Sequence, residues 1–126
     1  MSKGSHYLPE SRTFEDVKTG VLIRQLTSQP AIHHHPFFLV PAYDDAMQWL
    51  VFVSYRTGRP QIFVEDRSTG KLIQLTDRKD LAPFSIYPSH DGRYIYFTAG
   101  SGGWRLHTQT YEAVSYTHLT LPTITE

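Results

Sequence analysis

Apolar and polar residues alternate over short runs along this chain, and nowhere does a long 3.6-residue rhythm take over. A period of two places residues i and i+2 on one face of an extended strand. On that pattern strands are predicted at Thr13–Asp16, Val21–Leu26, His35–Val40, Gln48–Ser54 and Gln61–Glu65, then at Lys71–Leu75, Phe84–Tyr87, Tyr94–Ala99 and Trp104–Thr108. The best helical candidate, "DDAMQWL", runs straight into the β-branched and aromatic "VFVS". Between the runs stand "KTG", "RTGRP", "RSTG", "SHDG" and "GSGG". Gly20, Gly58 and Gly70 can take the left-handed position of a tight turn, and Asp91-Gly92 is a strong two-residue turn signal. Short connections make neighbouring strands antiparallel.

Two segments recur. "FEDVKTGVLIRQLT" (Phe14–Thr27) matches "VEDRSTGKLIQLT" (Val64–Thr76), with Asp16 on Asp66, Thr19-Gly20 on Thr69-Gly70 and Leu26-Thr27 on Leu75-Thr76. "VPAYDDAMQWLVFVS" matches "YPSHDGRYIYFTA", with Pro41 on Pro88, Asp44 on Asp91, Leu50 on Ile95 and Phe52 on Phe97. The offset of about 45–50 residues, four short strands per unit, is that of a β-propeller blade. With strands labelled a to d from the centre outward, 12–27 are strands c and d that close a ring. Residues 35–76 form a complete blade, and 84–112 a truncated one. Residues 1–11 are an N-terminal extension. The fold class is therefore all-β: a partial β-propeller of about two four-stranded antiparallel blades. A closed ring of four to eight blades needs about 180–360 residues, so 126 residues predict the front of something longer.

The bulk composition narrows the partners. Twelve basic and twelve acidic side chains give no net charge, which argues against a nucleic-acid groove or an anionic membrane surface. No cysteine is present, so there is neither a disulfide framework nor a thiolate zinc site. No apolar core follows the opening Met-Ser-Lys-Gly-Ser-His, and no run approaches the ~18 apolar residues of a membrane span. A cytoplasmic location is expected.

Several residues could carry chemistry. His33 and His35 can share a strand face, with His34 opposite. Two histidines can contact a metal, but a site wants three or four ligands, and loop histidines of this kind are commonly structural. The segment precedes an innermost strand, near the axial mouth where propellers bind ligands. Arg56 and Arg59 flank the "RTGRP" turn, and an arginine fork suits a uronate carboxylate. Such turn arginines are otherwise simply solvated. Trp49 and Trp104 could stack on sugar faces, although Trp49 sits in an apolar run that reads as core. "SGG" at 101–103 precedes no Gly-Lys-Ser and is no phosphate loop.

"PSHDGRYIYFTA" resembles the WD40-like repeat of TolB-type propellers. A second resemblance covers residues 12 to about 112. "RTFEDVKTGVLIRQLTSQPAIHHHPFF", then "LVF" at Leu50–Phe52 and "DRSTGKLIQLTD", is similar to the start of the oligogalacturonate lyases. The matching elements are Asp16, Thr19-Gly20, Arg24, Leu26-Thr27, His34 and Phe37-Phe38. Two departures are His34-His35 where that family often has His-Arg, and Asp44-Asp45 for the usual Asp-Gly. The resemblance implies a seven-bladed propeller that cleaves short pectin oligosaccharides by β-elimination. A base takes the proton beside the uronate carboxylate, and a divalent ion, manganese in that family, makes the proton acidic enough to remove. It also implies that the metal ligands and the catalytic His and Arg lie in later blades. No catalytic or metal-ligating residue is therefore assigned here, and no metal is expected on this chain. The fragment itself is expected to be inactive, with His34, His35 and Arg56 as its candidate contacts to an oligogalacturonide. A non-catalytic TolB-type propeller that binds protein or glycan is the alternative.

The tail "AVSYTHLTLPTITE" alternates like a strand d. Yet Val114–Thr123 resembles, at every position, the conceptual translation of a transposase mosaic-end sequencing adapter. Ile124-Thr125-Glu126 would be sample index. Residues 113–126 are accordingly expected to be non-native, and also able to pair beside Trp104–Thr108 as any alternating segment can.

Overall fold

The computed structural model describes residues 3–36, 41–100 and 102–115. Its elements are all strands. A first blade has the order β1-β7-β6-β5-β4, with β1 His6–Tyr7, β4 His33–His34, β5 Trp49–Ser54, β6 Gln61–Asp66 and β7 Leu72–Gln74. A second has the order β11-β10-β9-β8, with β8 Tyr87–Pro88, β9 Tyr94–Ala99, β10 Gly102–His107 and β11 Ala113–Ser115. The hairpin β2 (Arg12–Glu15) and β3 (Leu22–Gln25) forms a separate two-stranded sheet. All the ladders are antiparallel. The architecture is a partial β-propeller. Among the described residues no helix is long and apolar enough to cross a membrane.

Alternation along β5 and β6 gives the first blade two different faces. Val51, Val53, Ile62, Val64, Ile73 and Leu75 meet Ile95, Phe97, Ala99 and Leu106 of the second blade in one apolar core. The opposite face carries Phe52, Phe63 and Leu72, covered by Tyr7 and Leu26. It also carries polar groups that are fully buried: Ser54, Gln61, Glu65 and Gln74. Buried polar atoms are costly unless bonded. Gln61 Oε1 accepts from the Thr76 hydroxyl (2.6 Å) and the Arg78 N–H (2.9 Å). Gln74 accepts from the Tyr7 hydroxyl (3.2 Å) and donates to the Thr76 carbonyl (2.7 Å). Glu65 takes a short hydrogen bond from Arg24.

The recurring turns share one geometry. Asp16 Oδ2 accepts from the Thr19 N–H and hydroxyl, and Gly20 N–H donates to the Asp16 carbonyl with φ of 73°. Asp66 Oδ1 accepts from the Ser68 N–H and hydroxyl, and Gly70 N–H donates to the Asp66 carbonyl with φ of 78°. A third copy was not evident from composition. His107 Nδ1 replaces the carboxylate oxygen, accepting from the Gln109 and Thr110 N–H groups, and Tyr111 replaces glycine with φ of 65°. Gly70→Ala is expected to cost more than Gly20→Ala. Both strain a left-handed φ by about 1–2 kcal/mol, but only at Gly70 would the new methyl meet Pro9 Cβ, at 3.2 Å. Paired urea-unfolding midpoints check the order.

Several predicted strands move. His35–Val40 was expected as an innermost strand. Pairing occurs instead at His33–His34, opposite Ser54 and Val53. Pro36 lacks an N–H and restricts His35, so the ladder stops there. Residues 37–40, with the Phe37-Phe38 pair, lie outside the described residues. The inner edge pairs again at Tyr43 with Leu50. Between these two pairings β5 runs three positions and the chain nine, a register difference of six. The second blade repeats the device with a slip of three, between Leu81–Ala99 and Tyr87–Tyr96. There Pro83 and a turn closed by Ser85, whose N–H and hydroxyl both donate to the Ala82 carbonyl, displace the strand expected at Phe84–Tyr87 to Tyr87–Pro88. "DDAMQWL" forms a turn in which Asp44 Oδ1 accepts from the Gln48 and Trp49 N–H groups and Met47 has φ of 54°. Ala113–Ser115 pairs with Leu106–Trp104 as a fourth strand. Residues 116–126 of the tail lie outside the described residues.

Candidate functional site

Antiparallel alternation brings four connections to one rim. They are the entry to β4, the β5–β6 turn, the segment leaving β7 and the β9–β10 turn. His33–His35, Arg56 and Arg59 therefore stand at the same end of the blades.

The three histidines diverge. His33 lies edge-on to Phe52 (6.3 Å between centroids), and its Nε2 is 3.0 Å from the Gln29 carbonyl oxygen. A carbonyl can only accept, so Nε2 carries the proton and Nδ1 the lone pair. His34 stacks on Phe84 (4.6 Å, 19°) and lies 6.0 Å from Tyr55. Its Nδ1 is 2.8 Å from the His35 carbonyl oxygen, so here Nε2 carries the lone pair. Both lone pairs, His33 Nδ1 and His34 Nε2, are buried without a partner among the described residues. His35 is exposed, and its Nδ1 donates to the Pro36 carbonyl. A cavity of about 210 Å³ opens beside them, lined by Leu26, Thr27, His33, His34, His35 and Phe52 among others. Those two nitrogens are closed to solvent, whereas the Phe84 ring, 60% exposed, can lie against an apolar face of a ligand.

Strand alternation sends the His33 ring toward Phe52 and the His34 ring toward Phe84, so the two imidazoles do not share one face. Among the described residues no three His, Cys, Asp or Glu side chains are grouped to hold an ion.

Arg56 is turned away from solvent, its side chain 4% exposed. Its fork clasps Glu10, Nη1 to Oε2 at 2.6 Å and Nη2 to Oε1 at 3.1 Å, while Nε donates to Ser54 Oγ. The guanidinium lies 5.0 Å from the Tyr7 ring centroid and 5.1 Å from that of Phe63. Burial pushes the Glu10 carboxyl up, but the Arg56 hydrogen bond, the Ser28 N–H and the Arg56 charge outweigh it and hold the group below its usual value. To meet a uronate, Arg56 would have to release Glu10. The sequence offered no signal for this pairing, because Glu10 lies 46 residues away.

Arg59 stands on the other side of the turn, in a cleft with Arg78 and Lys79. Trp49 packs against the inter-blade core, as does Trp104, whose ring carries the Arg78 guanidinium at 4.3 Å. Phe84 and Arg78 escaped the sequence reading. Pro83 was the available signal for Phe84, since it breaks the strand just before it.

No family model and no curated protein matches the sequence. Solved structures do. An oligogalacturonate lyase in complex with manganese is similar at a TM-score of 0.85 and 22% identity, over 91% of this chain and 31% of that one. The oligogalacturonate lyase of Vibrio parahaemolyticus gives 0.84 and 23%, over 90% and 31%. TolB from Acinetobacter baumannii gives 0.61 and 24%, over 83% and 26%. The chain thus spans about a third of the length of those lyases, and over that span it has their fold.

Proposed function

We propose that this chain is the opening part of an oligogalacturonate lyase-like enzyme that cleaves short pectin oligosaccharides by β-elimination in the cytoplasm. The observation that carries the reading is the fold match at a TM-score of 0.85 over 91% of the chain. The TolB match, at similar identity, reaches only 0.61, which favours the lyase over a non-catalytic TolB-type propeller. The metal, manganese by analogy with the lyase complex, and the groups that move protons belong to blades beyond the described residues. No step of the elimination is drawn through the residues described here.

On this reading the His34 side of the rim faces the sugar. Phe84, stacked on His34 and open to solvent, offers its ring to a sugar face. His35 lies exposed beside it. Arg56, held by Glu10, supports the rim from behind.

The test is to extend the gene in its source past the codon for Glu112 and express both forms. The extended product is expected to turn an oligogalacturonide into an unsaturated, ultraviolet-absorbing product in the presence of manganese. The 126-residue chain is expected to give none. An extended gene without a metal-ligand cluster and an inward His and Arg in its later blades, or an inactive product, would sink the lyase reading. Turnover by the short chain would overturn its inactivity.

A further inference from the structure

A second feature of the rim lies apart from the histidines. The β5–β6 turn and the segment leaving β7 enclose a cleft of about 330 Å³, lined by Thr57, Arg59, Gln61, Asp77, Arg78 and Lys79. That size is at the lower end of ligand pockets, about 300–1,000 Å³. We propose that this cleft is a carboxylate-binding subsite for an acidic saccharide, with Arg59 and Lys79 holding the carboxylate. The choice of a saccharide rests on the lyase reading.

The cleft is built, not merely a gap between turns. Its floor is Gln61, 2% exposed. One Gln61 amide accepts from the Arg78 N–H and donates to the Arg78 carbonyl at 2.6 Å, so it pins the backbone there from both sides. Arg78 is then fixed by two further contacts. Asp80 takes its Nε and Nη2 hydrogens at 2.9 and 3.2 Å, and its guanidinium lies over Trp104. Arg78 is thereby neutralised and acts as a wall. Arg59 and Lys79 differ, being exposed and without an ion pair among the described residues. Asp77 is the one carboxylate lining the cleft. Two unneutralised cations against one acid leave the cleft positive in a chain of zero net charge. An arginine fork beside a flexible ammonium suits a carboxylate. Asp77 can accept from a sugar hydroxyl.

Trp104 beneath Arg78 provides a reporter. The 126-residue chain is titrated with trigalacturonate and with its fully methyl-esterified, uncharged form, by tryptophan fluorescence and calorimetry. The charged trisaccharide is expected to bind at least tenfold more tightly than the ester. Arg59→Ala/Lys79→Ala is expected to abolish that preference while leaving the strand circular dichroism unchanged, since neither side chain supports the core. Arg59→Lys is expected to keep part of it. Equal binding of the two sugars, no binding of trigalacturonate, or wild-type binding by the double variant would overturn the subsite. The two readings fail separately. Binding that needs Arg59 and Lys79, with no elimination by the extended product, keeps the subsite and sinks the lyase. Elimination with an unchanged KM in the double variant does the reverse.

Discussion

Arg56→Ala is expected to destabilise the chain by about 3–5 kcal/mol, the usual cost of removing one partner from a buried ion pair. Here the partner left behind is Glu10, 15% exposed at its side chain. The loss also strips a cation from the faces of Tyr7 and Phe63. Arg56→Lys keeps the charge without the fork and should fall between the two. Urea unfolding followed by circular dichroism measures both. A substitution that leaves the midpoint unchanged would mean that the clamp is worth little and that Arg56 is free to meet a ligand. The same pair gives an acid-side signature. Glu10 is held below its ordinary value of 4.5. Its contribution is therefore complete above about pH 4.5 and disappears as pH falls through the lowered folded-state value. Relative to Glu10→Gln, the parent chain should lose stability on acidification in that window, and the difference should level off at neutral pH.

The clamp also shows which features were legible in the sequence. Turn chemistry was, because it is local. An aspartate, a hydroxyl residue two or three positions later and a glycine are read directly, and Asp16 and Asp66 bind as that pattern requires. The third copy escaped because His107 and Tyr111 occupy the places that aspartate and glycine hold in the other two. Strand identity was legible wherever β-branched residues alternate, as in β5, β6 and β9. It failed at His35-Pro36 and at Phe84–Ile86, where Pro36 and Pro83 interrupt runs that are apolar enough to suggest continuous strands. Burial of polar side chains was not legible at all. Gln61, Glu65 and Gln74 look like solvent-facing positions of strands. Gln74 and Glu65 are buried under Tyr7 and Arg24, through contacts across 67 and 41 residues, and Gln61 under the segment leaving β7.

Several residues behind the family resemblance have structural tasks here. Asp16, Thr19 and Gly20 make the hairpin turn. Leu26 fills the Phe52, Phe63, Leu72 cluster, and Arg24 meets Glu65. A resemblance built on such residues reports how the blades dock more directly than what they bind. Apart from His34, the candidate chemistry on this chain sits on positions the motifs did not emphasise. Phe84 makes the platform for His34, and Lys79 lines the cleft together with Arg59. Both belong to the segment between the two blades, where loops are placed by a rigid scaffold.

Arg24→Ala is expected to cost about 3 kcal/mol, at the lower end for a broken buried pair. Glu65 is 0% exposed, and without Arg24 its nearest cation is Arg67, with Nε 3.9 Å from Oε1. That distance permits attraction without a hydrogen bond. Glu65 also raises the affinity of Arg24 for its proton, chiefly through the hydrogen bond, so the guanidinium stays charged throughout the working range. The double replacement Arg24→Leu/Glu65→Leu removes both charges and fills the space with methylenes. It should recover most of the loss, because a buried pair replaced by packed apolar groups is often neutral or better. Hydrogen exchange separates docking from global stability. β2 and β3 are solvent-exposed along most of their length, and Arg24 and Leu26 tie them to the first blade. In Arg24→Ala the amides of β3 should therefore exchange well before those of β6, whereas in the double-leucine chain the order should return toward the parent's. Simultaneous loss of protection in both strands would place Arg24 in the support of the whole blade instead of the hairpin's attachment to it.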